Sequence, residues 1–226
     1  MRQLSGLLFL TATLVAASAH AQGIFIDRGD PSAISATAGF RYGVTDSSWG
    51  GSVAGGWSYR GVFDAGADLT YNKYKGGSLD GETGMRVSPS VTWHAMRSAP
   101  LSLSLTVGLM REFFSGNFPV ADPEAWGAFA GPSLYRRIAL GGGTLLVPEL
   151  LAAYDFKSTR YFTGAMDQGS GNRLDSNGAS DYRTERKHSA RVLAKLNLLF
   201  NPGIIVAAYG GYQGGAVGGV TAGALF

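Results

Sequence analysis

No cysteine occurs in the 226 residues. Disulfides, thiolate metal sites and cysteine nucleophiles are therefore excluded. Charge is scarce as well. Charged residues make up 15% of the chain, with a formal net charge of +3, against roughly 25% charged residues in soluble globular domains. Yet no stretch supplies the roughly 20 continuous apolar residues that a membrane-spanning helix requires. The 34 glycines follow no three-residue period, which excludes a collagen helix. No phosphate-binding glycine motif leads into a helix, so nucleotide binding is unsupported and no cofactor is implied. Basic residues are scattered over the chain rather than gathered on one face, which argues against nucleic acid. Little charge without a spanning helix points to an all-β chain that closes on itself and lodges its polar side chains inside.

The first residues predict export. Arg2 gives a positive start, Leu7 to Ala17 an apolar core, and Ala19-His20-Ala21 a small-x-small cleavage site. Residues 1–21 thus read as a signal peptide and 22–32 as a short leader. The leader includes Arg28-Gly29-Asp30, a triplet that arises readily by chance. An exported chain lacking a stop-transfer helix fits the periplasm or outer membrane of a Gram-negative cell.

From Ala33 onward, period-two alternation dominates, the mark of strands with two unlike faces. Ile34, Ala36, Ala38, Phe40, Tyr42 and Val44 share one face, and Ser35, Thr37, Gly39, Arg41 and Gly43 the other. The cleanest run is Leu101, Leu103, Leu105, Val107 and Leu109 against Ser102, Ser104, Thr106 and Gly108. Turn signals at Asp46-Ser47-Ser48, Arg60-Gly61, Gly141 to Gly143, Asn201-Pro202-Gly203 and Gln213-Gly214-Gly215 separate the segments. Ten strands result, with eight as the alternative, and single-chain bacterial barrels have an even number. Ser158 to Lys187 lacks any period and is rich in Gly, Ser, Asn, Asp and Arg, so it reads as one long mobile loop. Its charges include Lys157, Arg160, Arg183, Glu185, Arg186 and Lys187. Pro89, Pro132 and Pro148 fall within strands, where each lacks a ladder donor. Bulges or displaced boundaries would absorb them.

The last twelve residues, GAVGGVTAGALF from Gly215 to Phe226, alternate to the very end and finish on an aromatic. Here the chain resembles bacterial outer-membrane β-barrel proteins, whose last strand typically ends in Phe and serves as the assembly signal. The resemblance implies a closed antiparallel transmembrane barrel over 33–226 in the cell outer membrane. It also implies outer-membrane lipids, lipopolysaccharide and the barrel-assembly machinery as partners of a monomer. Aromatic placement agrees. Trp57, Tyr59, Phe63, Trp93, Phe200 and Phe226 fall at one rim, and Tyr42, Trp49, Tyr71, Phe113, Trp126, Tyr154, Phe156 and Tyr212 at the other.

The inward faces collect Arg41, Asp64, Asp68, Arg86, His94, Glu112, Glu149, Asp155, Arg191 and Lys195. Ten strands enclose little more than side chains can fill. The expected arrangement is an ion-paired lumen with at most a narrow pore, serving a structural or surface-interaction role. A small-solute channel is the alternative. An outer-membrane enzyme is the second: lipid A deacylases use Ser and His with an acid, and omptin proteases use Asp and His pairs. His94 lies close to Ser90 by strand spacing, and His188 beside Ser189 with Asp181 and Glu185 nearby. No omptin motif accompanies them, and neither histidine has zinc-site spacing. The expectation is a non-catalytic protein.

Overall fold

The structure is a computed structural model that describes residues 22–26, 31–43, 48–75, 81–97, 100–115, 124–162, 182–200 and 203–226. The signal segment 1–21 and the Arg28-Gly29-Asp30 triplet lie outside those residues. A single turn of helix, α1 (Gln22–Phe25), precedes the strands β1 (Ser32–Gly43), β2 (Ser48–Tyr59), β3 (Phe63–Lys73), β4 (Thr83–Met96), β5 (Ser102–Ser115), β6 (Glu124–Tyr135), β7 (Ile138–Gly141), β8 (Thr144–Phe162), β9 (Tyr182–Phe200), β10 (Ile204–Gln213) and β11 (Ala216–Leu225).

Consecutive strands pair antiparallel except β6 and β7, which both pair with β8, and β1 pairs with β11. The sheet is therefore closed. The short β7 is not an additional stave. It continues β6 in the same register against β8, so the barrel has ten strands rather than eight. Hydrogen-bonded neighbours trace from Ile34 through Trp57, Ala65, Val91, Val107, Ala130, Tyr154 and Ala190. That circuit arrives at the β10–β11 turn, level with the C-terminal end of β1 rather than with Ile34. This stagger means that the strands tilt, as closure of a barrel demands.

The lower end is defined here as the one holding Ser32, the β2–β3 turn and Phe226. There Arg60 and Gly61 both have positive φ, 50° and 58°. Val62 N–H closes the turn on the Tyr59 carbonyl at 2.8 Å. This is the primed hairpin geometry whose twist matches the flanking strands. The last residue is fastened too. Phe226 and Ile34 exchange two backbone hydrogen bonds of 2.8 and 2.9 Å, while the Phe226 side chain is 76% exposed.

The exposed face is apolar and the enclosed face polar, the reverse of a soluble protein. Ile34, Phe40, Leu69, Val91, Leu105, Leu109, Leu196 and Val220 are exposed, whereas Ser58, Asp64, Asn72, Thr92, Ser104, Glu112 and Asn197 are buried. The aromatic residues named for each rim are exposed, save Phe156, which is partly covered.

The three in-strand prolines neither bulge the sheet nor shift its register. Each silences part of one ladder. At Pro89 the β4–β5 pairing skips from Val87–Arg111 to Ser90–Gly108. At Pro132 the β6–β8 pairing skips from Ala130–Tyr154 to Ser133–Leu151. Pro148 lies opposite the break between β6 and β7, where its carbonyl still accepts from Arg136 N–H at 3.2 Å. The register shifts lie elsewhere, between His94 and Met96 and between Ala139 and Gly141.

One expectation needs correction. The stretch 158–187 is not all loop: β8 runs to Phe162 and β9 starts at Tyr182, with Ser158 opposite Arg186 and Arg160 opposite Thr184. These positions carry polar residues on both faces because a hairpin projecting past the apolar belt meets water on each side. Only 163–181, outside the described residues, separates the strands. Of the leader, the described residues include α1 and the first residue of β1.

Candidate functional site

The lumen is built in three tiers from the inward-facing alternate residues. In the lowest tier α1 enters the barrel. Ile24 is fully buried, and Phe25 and Ile26 nearly so. Ile24 and Phe25 pack on Tyr135, Val147 and Ile205, an apolar ring at the strand ends, with Leu145, Leu199 and Leu225 around it. Arg137 anchors the segment, its Nη1 and Nη2 donating to the carbonyls of Ile26 and Phe25 at 3.5 and 3.4 Å. Above it, His94 Nε2 meets Asp64 Oδ2 at 3.0 Å, and His94 Nδ1 faces the Tyr135 hydroxyl at 3.3 Å. Tyr135 stands edge-on to the imidazole at 87°. Both ring nitrogens are thereby taken, and the group is buried behind α1. Hydroxyl pairs tie the neighbouring strands, Ser104 to Ser133 at 2.6 Å and Thr92 to Thr106 at 2.8 Å.

The middle tier surrounds a cavity of about 160 Å³. Arg41, Asp68, Arg86, Glu149, Arg191 and Lys195 line it, together with Met110, Phe129, Leu151, Leu193 and Tyr209. Arg191 Nε and Nη2 hold Asp155 in a fork at 3.0 and 2.8 Å, the strongest geometry for such a pair. Its guanidinium also lies 4.4 Å from the centre of the Phe129 ring. Lys195 Nζ sits 3.8 Å from Glu149 Oε2. Thr70 links two further charges, donating to Asp68 at 3.0 Å and accepting from Arg86 at 3.4 Å. In and beside the cavity, Arg41, Arg86, Arg191 and Lys195 face Asp68, Glu149 and Asp155.

The upper tier centres on Glu112. Lys157 Nζ donates to one carboxylate oxygen at 2.8 Å and the Tyr74 hydroxyl to the other at 2.5 Å. Phe114 and Ala125 pack beside Tyr74. Burial, with the Glu112 charge beside it, pushes the Tyr74 hydroxyl far above the ordinary tyrosine range, so it stays a proton donor.

Of the ten inward residues named from the sequence, six line the middle cavity. Asp155 binds Arg191 beside it, Asp64 and His94 form the lower pair, and Glu112 the upper one. Lys157, expected among the loop charges, points into the barrel instead. Alternation had missed α1, Tyr74, Tyr135 and Phe129. The triplet Ile24-Phe25-Ile26 was the available signal, since nothing in a solvated leader would favour it. His188 faces outward, where the Tyr154 hydroxyl meets its Nδ1 and the Phe156 ring lies 5.1 Å away. Among the described residues no three His, Asp or Glu side chains converge as metal ligands would. No described helix is long and apolar enough to cross a membrane.

These features define a class: a closed ten-stranded antiparallel β-barrel with an apolar exterior and an ion-paired interior. No protein-family model matches the chain, and no curated protein does. Thirteen solved chains do. One is Ail, the attachment invasion locus protein of Yersinia pestis, in complex with the heparin analogue sucrose octasulfate, at 13% identity, covering 87% of this chain and 100% of that one, with a TM-score of 0.35. Another is the beta domain of the Bordetella autotransporter BrkA, at 15% identity, 87% and 98% coverage and a TM-score of 0.40. CdiB from Acinetobacter baumannii matches at 11% identity over 87% of this chain and 60% of that one, with a TM-score of 0.29. At such scores the likenesses add nothing to what the registers and faces of this chain establish.

Proposed function

We propose that this chain is an integral outer-membrane barrel whose lumen is shut, serving a structural or surface-interaction role rather than bulk transport or catalysis. The membrane assignment is supported by the apolar exterior and by full closure, since each bare backbone group in lipid costs several kcal/mol. Both rims carry the aromatic residues that settle at membrane interfaces. The lower end faces the periplasm and the upper, with the projecting β8–β9 hairpin, faces outward. Phe226, held at the closing seam, is the assembly signal.

The observation that carries the shut lumen is α1, seated in the lower mouth on Tyr135, Val147 and Ile205. The Asp64–His94 and Glu112–Lys157 pairs narrow the passage further. Planar-bilayer recording tests the reading. The unaltered protein is expected to pass little or no current, and deletion of residues 22–26 to open measurable steps. Large steady conductance in the unaltered protein would refute it in favour of a channel.

A further inference from the structure

One strand of the closed barrel keeps a bare edge. β9 is paired with β8 from Tyr182, opposite Phe162, to Leu199, opposite Leu145. On its other side β10 accompanies it only from Phe200 to Arg191. There β10 ends: Gln213 N–H bonds the Gly215 carbonyl at 2.8 Å, and Gly214, at φ 66°, turns the chain into β11. Among the described residues, 182–190 therefore pair on one side alone. At ~3.4 Å per residue this edge is about 30 Å long. Its bare backbone groups are tolerable only in water, since each would cost several kcal/mol in lipid.

The edge is marked by charge. Thr184, Glu185, Arg186, Lys187 and His188 are all exposed. Arg186 and Lys187 are consecutive, so they lie on opposite faces of the strand. Arg160, opposite Thr184 on β8, adds a cation to the face that Arg186 occupies. Glu185 is the one acid between Tyr182 and Ala190. A second copy of this chain is a poor occupant. Two barrels at the same height in one membrane hold their β9 strands parallel, so paired edges would set Arg186 and Lys187 beside their own copies, and like charges oppose such pairing.

We propose that residues 182–190 are a docking edge for an extended acidic segment of another protein, which joins the sheet as a strand beside β9. The β9 backbone supplies the hydrogen bonds. Two consecutive carboxylates on the incoming strand, one on each face, meet Arg186 and Lys187. The proposal rests on the reading above that turns this end of the barrel outward.

The test uses the full barrel in detergent micelles and a fluorescently labelled peptide of alternating threonine and valine with two central glutamates. Binding is expected by anisotropy, with slowed deuterium exchange at amides within 184–190 and none at those of β5. A peptide with lysine in place of both glutamates should bind roughly ten-fold more weakly. The double variant Arg186→Glu with Lys187→Glu should reverse that preference. Two further analogues carry N-methyl groups on alternate residues, one on the odd set and one on the even. In a paired strand only alternate amides face the neighbour, so one analogue should lose roughly ten-fold or more while the other binds like the parent. No binding, equal behaviour of the two analogues, an unchanged preference in the double variant, or amides of 184–190 that already exchange slowly without peptide would each overturn the docking edge. If the double variant fails to fold, the two N-methyl analogues on the unaltered protein decide. Binding in micelles with none to the barrel in intact cells would uphold the edge and strike the outward orientation instead.

Discussion

At the scale of single residues, the chain reverses the usual rule of what faces outward. Leu69 is exposed between Val53 and Val87 on its neighbours, at mid-strand on β3. Leu69→Arg places a charge near the bilayer midplane and is expected to cost roughly 2–4 kcal/mol, read by urea unfolding from vesicles. The same change on a soluble protein's surface would cost nothing measurable. Inside, Asp155→Asn strips the fork from Arg191 and leaves a buried cation uncompensated, at roughly 3–5 kcal/mol. Unfolding of the variant no easier than that of the parent would mean that water reaches Arg191 freely. Most inward charges were legible because strand alternation states which residues share a face. Their partners were not. Glu112 and Lys157 are 45 residues apart, and no local pattern links them until register brings β5 and β8 to the same tier. Tyr74, just past the end of β3, escaped because alternation stops where the strand does.

At the scale of elements, two features depart from regular alternation. The first is α1, whose Ile24 and Phe25 serve as a stopper only because the lower ends of β6, β8 and β10 turn Tyr135, Val147 and Ile205 inward. Ile24→Asp buries an unpaired carboxylate there and is expected to expel the segment. Conductance should rise toward that of the 22–26 deletion, and protease should cut a segment that the parent protects. The second is the set of prolines. Their presence within strands was plain in the sequence, but whether they bulged the sheet was undecidable, because a missing donor can be absorbed by register or by silence. The structure chooses silence. The expected signature is local: at least one amide of the Ala152–Ala153 pair, opposite Gly131 and Pro132, exchanges with solvent deuterium faster than those of Leu151 and Tyr154. Uniform protection along β8 would show that the gap is closed in the membrane. The hairpin extension of β8 and β9 was missed for a reason of the same kind, since a two-sided polar strand has no period to read.

At the scale of the whole molecule, closure is what makes the other levels consistent. Scarce charge, the lack of a spanning helix and period-two alternation pointed to a barrel, and the registers close it with ten staves. What remained illegible is what a sheet pattern cannot carry: which end is stopped by α1. The central claim is that one face of each strand meets acyl chains and the other an enclosed polar interior. Nitroxide labels placed singly at 102, 103, 104, 105, 106 and 107 of β5, in the protein reconstituted in vesicles, test it most directly. The account predicts period-two relaxation: oxygen, which concentrates in lipid, reaches labels at 103, 105 and 107, while those at 102, 104 and 106 are immobilised and shielded from it. Labels equally accessible to a water-soluble nickel reagent at every position, with no alternation, would contradict it.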